Sequence, residues 1–263
     1  MKRWWAAGLL LGGVVALVAF APAAWLAQGL AASTGGRLLL ADARGTVWAG
    51  SAVVVLTGGQ DSRDSSALPG RLSWTLGVSG GSLALRARQA CCIEGDLKLR
   101  FVPGLGRLRI ELLAPPPGAA SAVLGQWPAA WLVGLGTPWN TLQPTGRLML
   151  SSSGFAAEVV QGRWVLTGRA ELQIRSLASS LSTLDELGHY QLSLQGDDRG
   201  DSAQIQLGTS SGALKLTGSG QWAASRLRFN GQASAEPGSE AALNNLLNLI
   251  GRRQGALSLI SIG

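Results

Sequence analysis

Most of the chain alternates apolar and polar residues with a period of two, the pattern of a strand that has one face on a core and the other in water. Glycines and Gly-Ser pairs separate the alternating runs and are typical of tight turns. The pattern therefore predicts consecutive short antiparallel strands. The clearest runs are 97–101, 107–112, 190–195, 202–207 and 226–229.

The predicted strands form two sets within a mainly β chain. A first β set occupies residues 28–118 and ends at three consecutive prolines, 115–117. Residues 119–145 are predicted to be a Trp-rich connector with a short helix, and residues 146–263 hold the second β set. The pattern fits an open or curved sheet or a sandwich, and it leaves the strand order open.

One amphipathic helix is predicted near the C-terminus, at about residues 239–253. Ser239 suits the N-cap position, and Arg252 and Arg253 would complement the negative end of the helix. A last strand is expected at 256–260. The apolar residues that share one helical face are Leu243, Leu246, Leu247 and Ile250.

Residues 4–27 contain no charged side chain and follow Lys2 and Arg3. A helix of this length measures about 36 Å, enough to cross a hydrocarbon core of about 30 Å. Because basic residues stay on the cytoplasmic side, residues 1–3 are expected in the cytoplasm and the bulk of the chain in the periplasm. We thus expect a single-pass inner-membrane anchor.

A cleaved signal peptide is the competing interpretation, because it shares the basic start. Its apolar core, however, has only about 7–15 residues. The best cleavage triplet, 19–21, is followed by Pro22, which is unfavourable directly after a cleavage site. The uncleaved anchor is therefore the preferred prediction.

The composition excludes some function classes. The net charge of +7 suggests nucleic acid at first, but the basic residues are scattered along the sequence, and we expect no nucleic-acid partner. Only 14% of the residues are charged and 46% are hydrophobic, which predicts a folded chain. The excess of glycine, 37 residues, matches the turns of a many-stranded domain.

No residue is predicted to be catalytic, cofactor-binding or metal-binding. His189 is the only histidine, so a multi-histidine metal site is excluded and a histidine-based catalytic triad is not expected. The acidic run 197–201 lacks the ligand spacing of an EF-hand and is expected to be a solvated hairpin loop rather than a calcium site. We expect no cofactor.

Two features leave alternatives open. Cys91 and Cys92 are adjacent, so one could pack as a small apolar residue while the other is exposed, or the two could form a structural disulfide. A redox role is the third hypothesis. Trp127, Trp131 and Trp139 lie in the connector, where they could belong to the core or contact a membrane or partner. If the connector is helical there, Trp127 and Trp131 share one face.

Several short motifs, in order, resemble the type II secretion system protein N family. They cover nearly the whole chain after the apolar N-terminus. The motifs are Gly45-Thr46-Val47-Trp48-Ala49-Gly50, Leu68-Pro69 leading to Trp74, residues 135–146 with Gly136-Thr137-Pro138-Trp139-Asn140, Leu187-Gly188-His189-Tyr190, Gly218-Ser219-Gly220-Gln221-Trp222, and residues 246–253 of the C-terminal helix.

The resemblance implies a non-enzymatic, bitopic inner-membrane component of the apparatus that moves folded exoproteins from the periplasm across the outer membrane. Its partners would be other inner-membrane subunits of the type II secretion system, and residues 4–27 would contact the bilayer. The alternative is an anchored β-groove protein that binds or transfers lipid or lipopolysaccharide, because successive amphipathic strands can leave an apolar face open. That alternative requires the C-terminal helix not to plug the sheet.

Overall fold

A computed structural model describes residues 12–113, 123–197, 202–223 and 226–263. These residues form one antiparallel sheet of 16 strands with a few short helices on it. The prediction of a mainly β chain with an open antiparallel sheet is therefore confirmed.

The strands follow the alternating runs of the sequence. In chain order they are β1 Leu38–Gly45, β2 Ala49–Thr57, β3 Ser65–Ala67, β4 Leu72–Ser79, β5 Ser82–Arg88, β6 Leu97–Gly104, β7 Arg107–Leu113, β8 Val123–Pro128, β9 Pro144–Val160, β10 Arg163–Ser179, β11 Gly188–Gly196, β12 Ser202–Ser211, β13 Leu214–Ala223, β14 Arg226–Ala235, β15 Arg252–Gln254 and β16 Leu257–Ile262. The helical segments are α1 at residues 12–19, α2 Ala23–Ser33, the 3₁₀ helix Ala129–Leu135, α3 Trp139–Leu142 and α4 Glu240–Ile250.

Most neighbours in the sheet are neighbours in the chain, as expected of strands joined by tight turns. The main path runs from β1 through β2, β4, β5, β6, β7, β9, β10, β11, β12, β13, β14 and β16 to β15. The short strands β3 and β8 lie off this path and pair with β2 and β9.

Two long strands, β9 and β10, join the two predicted strand sets into one sheet. The first part of β9, residues 147–151, pairs with β8, and its last part, 156–160, pairs with β7. Strand β10 pairs with β9 along almost its whole length. The ladder between them is interrupted near Gly168, whose φ of 76° lies in the left-handed region that glycine tolerates.

The predicted single helix over residues 4–27 requires correction in the part that the structure describes. α1 ends at residue 19, and Pro22 forms an isolated bridge with Thr46 before α2 begins. Ala23 of α2 is buried against Ala52 and Trp74, and Leu26 packs beside them, so α2 packs on the sheet. Among the described residues no helix is long and apolar enough to cross a bilayer. Residues 1–11 lie outside them.

The C-terminal helix exists but is shorter than predicted. α4 ends at Ile250 because the chain becomes extended at Gly251 and turns back as the β15–β16 hairpin. Arg252 and Arg253 consequently lie in β15 and not at a helix end. Ser239 occupies the N-cap position without a side-chain cap. The predicted apolar face is confirmed, since Leu243, Leu246 and Leu247 are buried and Ile250 packs beside them.

The connector differs from the helix that the tryptophan spacing suggested. Trp127 lies in strand β8, and Trp131 lies in the 3₁₀ helix that follows, so they do not share a helical face. Both pack against a buried cluster that contains Val54 and Leu68. The indole nitrogen of Trp131 donates to the carbonyl oxygen of Ser66 at 3.1 Å. These two tryptophans therefore belong to the core of the first half of the sheet.

Candidate functional site

A groove of about 470 Å³ opens on the apolar face of the second half of the sheet. Its side chains come from strands β9 to β14 and β16, from α3 and α4, and from the residue before β11. They are Trp139, Leu142, Pro144, Ile174, Leu177, Ala178, Ser179, Leu187, Leu192, Ile205, Leu207, Leu214, Leu216, Leu227, Phe229, Leu246, Ile250, Ile260 and Ile262.

The strand registers explain why these side chains meet. Directly opposite residues of an antiparallel pair point to the same face, so Leu192 and Leu207 lie side by side, and so do Phe229 and Ile262. Gly220 lies opposite Phe229, and a Cβ there would come within 2.9 Å of the phenyl ring. This glycine therefore leaves room for the ring on the groove floor.

α4 closes one end of the groove and leaves the rest open. Leu243, Leu246 and Leu247 are buried against the strands at that end, in a cluster with Tyr190 and Leu214. Leu246 also lines the groove. Leu192, Ile205 and Ile262 line the groove outside the cluster that contains these helix leucines.

The hydroxyl groups at the closed end are engaged within the protein. Ser179 Oγ donates to the carbonyl oxygen of Leu142 at 2.5 Å, and Tyr190 Oη donates to that of Leu214 at 2.9 Å. Burial raises the pKa of Tyr190, and the nearby carboxylate of Glu186 acts in the same direction. The groove therefore offers apolar contact and suits a ligand without polar groups in its buried part.

The opposite face of the same strands is polar, as the period of two requires. A shallow cavity of about 400 Å³ on this second half of the sheet is lined largely by amide and other polar side chains. Gln204 and Gln206 lie there, next in sequence to Ile205 and Leu207. Consecutive side chains of one strand thus point to opposite faces of the sheet, one apolar and the other polar.

A second feature, which we call the basic array, lies on the polar face of the first half of the sheet. Each of the three adjacent strands β5, β6 and β7 presents two cations at alternate positions, and Arg86 lies directly opposite Lys98. The sequence interpretation that the basic residues do not cluster is wrong here, because strand pairing brings them together. The six residues of the array are Arg86, Arg88, Lys98, Arg100, Arg107 and Arg109.

Two carboxylates beside the basic array each contact two of its arginines. Glu111 lies 3.5 Å from Arg100 and 3.0 Å from Arg109. Glu158 lies 3.5 Å from Arg109 and 4.0 Å from Arg107. Three carboxylates, including Asp96, thus face six cations.

Asp96 shows the local excess of positive charge most clearly. Its hydrogen bonds from Arg88 hold the pKa of the carboxyl below its ordinary value, and the charges of Arg88, Lys98 and Arg86 lower it further. The array is therefore a cationic surface that suits an anionic partner.

The adjacent cysteines form a disulfide, which decides between the open alternatives for that pair. Cys92 is buried in the cluster with Val54 and Leu68, whereas Cys91 is exposed. The carbonyl oxygen of Cys92 accepts from the backbone nitrogen of Gln126 at 2.7 Å. The backbone of Cys92 therefore links the turn before β6 to strand β8.

The remaining predicted candidates are separate from the groove. His189 Nδ1 accepts from the backbone nitrogen of Ser176 at 3.1 Å, and its Nε2 lies 3.0 Å from Glu186. Asp197 is the only described member of the acidic run, and it accepts from Ser202 Oγ at 3.2 Å. In the described ranges, no group of three or more His, Cys, Asp or Glu side chains is arranged to hold a metal ion.

Comparison with known families decides the identity. The model of the family described as type II secretion system (T2SS), protein N, matches residues 36–259. The chain belongs to the type II secretion system protein N family. The resemblance found in the motifs is thus confirmed, and the match spans the sheet from the start of β1 into β16. Searches of the curated proteins and of the solved structures find no significant match.

Family membership assigns the chain to type II secretion and associates it with the cell envelope. The first of the motifs that carried the resemblance has a structural role. Gly45 to Gly50 form the turn between β1 and β2, where the backbone nitrogen of Thr46 donates to the carbonyl oxygen of Ala49. The sequence alone did not identify the groove residues, because it does not show which strands are neighbours in the sheet. Their alternation with polar residues was the one sign that they share an apolar face.

Proposed function

We propose that this chain is a non-enzymatic inner-membrane component of the type II secretion system. It supports the transport of folded exoproteins from the periplasm across the outer membrane through contacts with other subunits. The family match over residues 36–259 is the observation that carries the proposal.

The proposed location rests on the N-terminal sequence. The uncharged run of residues 4–27 follows Lys2 and Arg3, so the tail stays in the cytoplasm and the sheet lies in the periplasm. Since α2 packs on the sheet through Ala23 and Leu26, the membrane-inserted part would end near Phe20. This shorter segment would be a bitopic anchor with the folded domain close to the bilayer.

The basic array supports contacts with acidic surfaces of other subunits. Complementary charges speed encounter and favour correct partners. Arg86 is exposed and lies opposite a like charge, Lys98; the nearby carboxylate of Asp96 pairs with Arg88, so the two cations would be stabilised by a further anion. An acidic segment of a partner would supply that anion.

The experiment is complementation of a gene deletion. The deletion should trap exoproteins in the periplasm and leave the membrane lipids unchanged, and the wild-type chain should restore secretion. The variant Arg86→Glu/Lys98→Glu should restore it only weakly at equal protein level. The control Arg226→Glu/Arg228→Glu reverses two charges on β14 and should complement fully. Normal secretion by the deletion strain would refute the proposal.

The groove favours a second candidate function, the binding or transfer of lipid or lipopolysaccharide. Its lining is apolar, and α4 covers only one end. An acyl chain needs no hydrogen bonds and gains about 0.8 kcal/mol for each CH₂ group it buries. Acyl chains are thus the ligands that this surface suits.

Mass spectrometry of the full chain purified from native membranes tests this candidate. Phospholipid or lipopolysaccharide should copurify with the wild type and with the control Gln206→Glu on the polar face. Leu207→Glu, one residue further on the groove side, should lose it. The bulky variant Leu192→Trp fills the groove without a charge and should also lose it. A lipid-free wild-type preparation would overturn the candidate.

A further inference from the structure

Three hairpin turns project from one end of the sheet in its first half. They join β4 to β5 at residues 79–82, β6 to β7 at 104–107 and β9 to β10 at 160–163. Val160 lies opposite both Arg107 and Arg163, so the last two turns are at the same end. We call these turns the projecting hairpins.

The turn between β1 and β2 lies at this end too, but it is shorter. Ala49, Thr75, Arg86 and Lys98 are aligned across β2, β4, β5 and β6. From that line β4 continues four residues to Ser79 and β6 continues six to Gly104. At about 3.4 Å per residue the hairpins reach roughly 14 and 20 Å further than Ala49.

The projecting hairpins expose apolar side chains at their tips. Leu105 is fully exposed, Val78 is 71% exposed, Trp164 is 44% exposed and Leu108 is 39% exposed. Val78 lies beside the first turn, Leu105 and Leu108 lie in or beside the second, and Trp164 lies beside the third, so the tips are spread over the strands from β4 to β10. Five strand spacings of about 4.8 Å separate β4 from β10 along the sheet, about 24 Å in all.

Arginines accompany the exposed apolar tips. Arg107 ends the second turn, and its side chain is 65% exposed with only a 4.0 Å contact to Glu158. Arg163 ends the third turn and is exposed. Apolar tips with adjacent cations are the composition of protein surfaces at a membrane interface, where indoles and arginines are both favoured.

The apolar N-terminal part of the chain joins the sheet at this same end. Trp48 Nε1, in the β1–β2 turn, donates to the carbonyl oxygen of Val18 at 2.7 Å. The backbone nitrogen of Val47 donates to that of Ala21 at 2.8 Å. All side chains of α1 are exposed, including Val14 and Leu17.

We propose that the projecting hairpins dock on an anionic lipid bilayer, with Val78, Leu105 and Trp164 at the interface and Arg107 and Arg163 against headgroup phosphates. The proposal rests on the membrane anchoring proposed above, since α1 would then enter the bilayer that the hairpins touch. A planar, fluid surface fits single apolar side chains on separate tips about 24 Å apart, whereas a protein partner would call for one contiguous patch.

The test places a fluorophore at defined sites of the full chain in vesicles of phosphatidylethanolamine and phosphatidylglycerol. An NBD label on an introduced cysteine reports burial in lipid through quenching by bromine on the acyl chains. Leu105→Cys and Val78→Cys should be quenched, whereas Ala256→Cys, in an exposed turn at the opposite end of the strands, should not. The unsubstituted chain, whose two cysteines are joined, checks the background labelling.

A charge-reversal pair tests the arginines. Arg107→Glu/Arg163→Glu should reduce quenching of the label at residue 105 severalfold. Arg37→Glu/Arg63→Glu reverses two exposed charges at the other end of the strands and should leave it unchanged. Equal quenching in the two charge-reversed proteins would overturn the headgroup contact.

A label at Val14→Cys in α1 separates this proposal from the anchoring on which it rests. Quenching at residue 14 without quenching at 105 and 78 would leave the anchor standing and overturn the hairpin docking. Quenching at 105 and 78 without quenching at 14 would support the docking and overturn the anchor. The absence of quenching at all three sites would overturn both.

Discussion

The hydroxyl of Tyr190 on β11 donates a buried 2.9 Å hydrogen bond to the carbonyl oxygen of Leu214 at the start of β13. The bond crosses β12, which lies between these two strands in the sheet. Tyr190 is 2% exposed and packs in the cluster that α4 covers. A single hydroxyl thus ties the closed end of the groove to a strand two positions away.

Replacing this tyrosine tests the contribution of that bond. Tyr190→Phe keeps the ring but leaves the buried carbonyl oxygen of Leu214 without its donor, which should cost about 1–3 kcal/mol in the free energy of unfolding. Urea unfolding followed by circular dichroism measures the change. Ser193→Ala on the same strand serves as a control and should change the stability by less than about 0.5 kcal/mol. Equal effects of both substitutions would contradict the assignment.

Gly168 lies at the register shift in the ladder between β10 and β9. Its φ is 76°, and an added Cβ would run into the backbone carbonyl of Gly154. Gly168→Ala should therefore destabilise the chain more than Gly162→Ala, whose φ of 79° is equally unfavourable but whose Cβ would meet open space. The control should cost about 1–2 kcal/mol. Thermal unfolding of the two variants compares them, and equal midpoints would refute the close contact.

The sequence predicted the strands well because period-two alternation is a local signal. It also predicted the buried face of α4, since Leu243, Leu246 and Leu247 recur at helical spacing. It missed features that depend on contacts distant in the chain. One such feature is the end of α4 at Gly251. The helix ends there because the chain turns into the β15–β16 hairpin, which contains Arg252 and pairs with β14.

The candidate surfaces, too, could be predicted from the sequence only where they depend on local patterns. Alternation identified which residues share a face, but not which strands adjoin. The cationic pair of Arg86 and Lys98 therefore could not be predicted, because 12 positions separate the two residues and their alignment follows from the register of β5 and β6. The packing of Ala23 on Trp74 could not be predicted either, because no residue in the apolar run 4–27 indicates where contact with the sheet begins.

Acid should weaken the sheet near the basic array. Arg88 holds the pKa of Asp96 below its ordinary value of 3.8. A carboxyl whose pKa is lowered in the folded state stabilises that state above pH 3.8, and the contribution is lost as the pH falls through the lowered folded-state pKa. Asp96→Asn should therefore be less stable than the wild type at neutral pH, and the difference should shrink as the solution is acidified below pH 3.8.

Urea unfolding at a series of pH values measures this dependence. Arg88→Gln removes the main cause of the lowered pKa and should flatten the same part of the stability profile. If the profiles of the wild type and Asp96→Asn remain parallel over the whole acidic range, the coupling between Arg88 and Asp96 is absent.

The docking of α4 sets how much of the groove stays open, and two leucines of this helix test it. Leu243 is fully buried against the sheet, whereas Leu249 is 44% exposed. Leu243→Ala should cost about 2–5 kcal/mol, because it removes buried methyl groups and leaves a cavity, while Leu249→Ala should cost less than about 1 kcal/mol. Hydrogen exchange of residues 240–250 adds a local readout, since loss of the contact at Leu243 should accelerate exchange there before the strands β9 and β10 are affected. Uniform acceleration across the sheet would show that α4 and the strands unfold as one unit, and that the helix does not open the groove on its own.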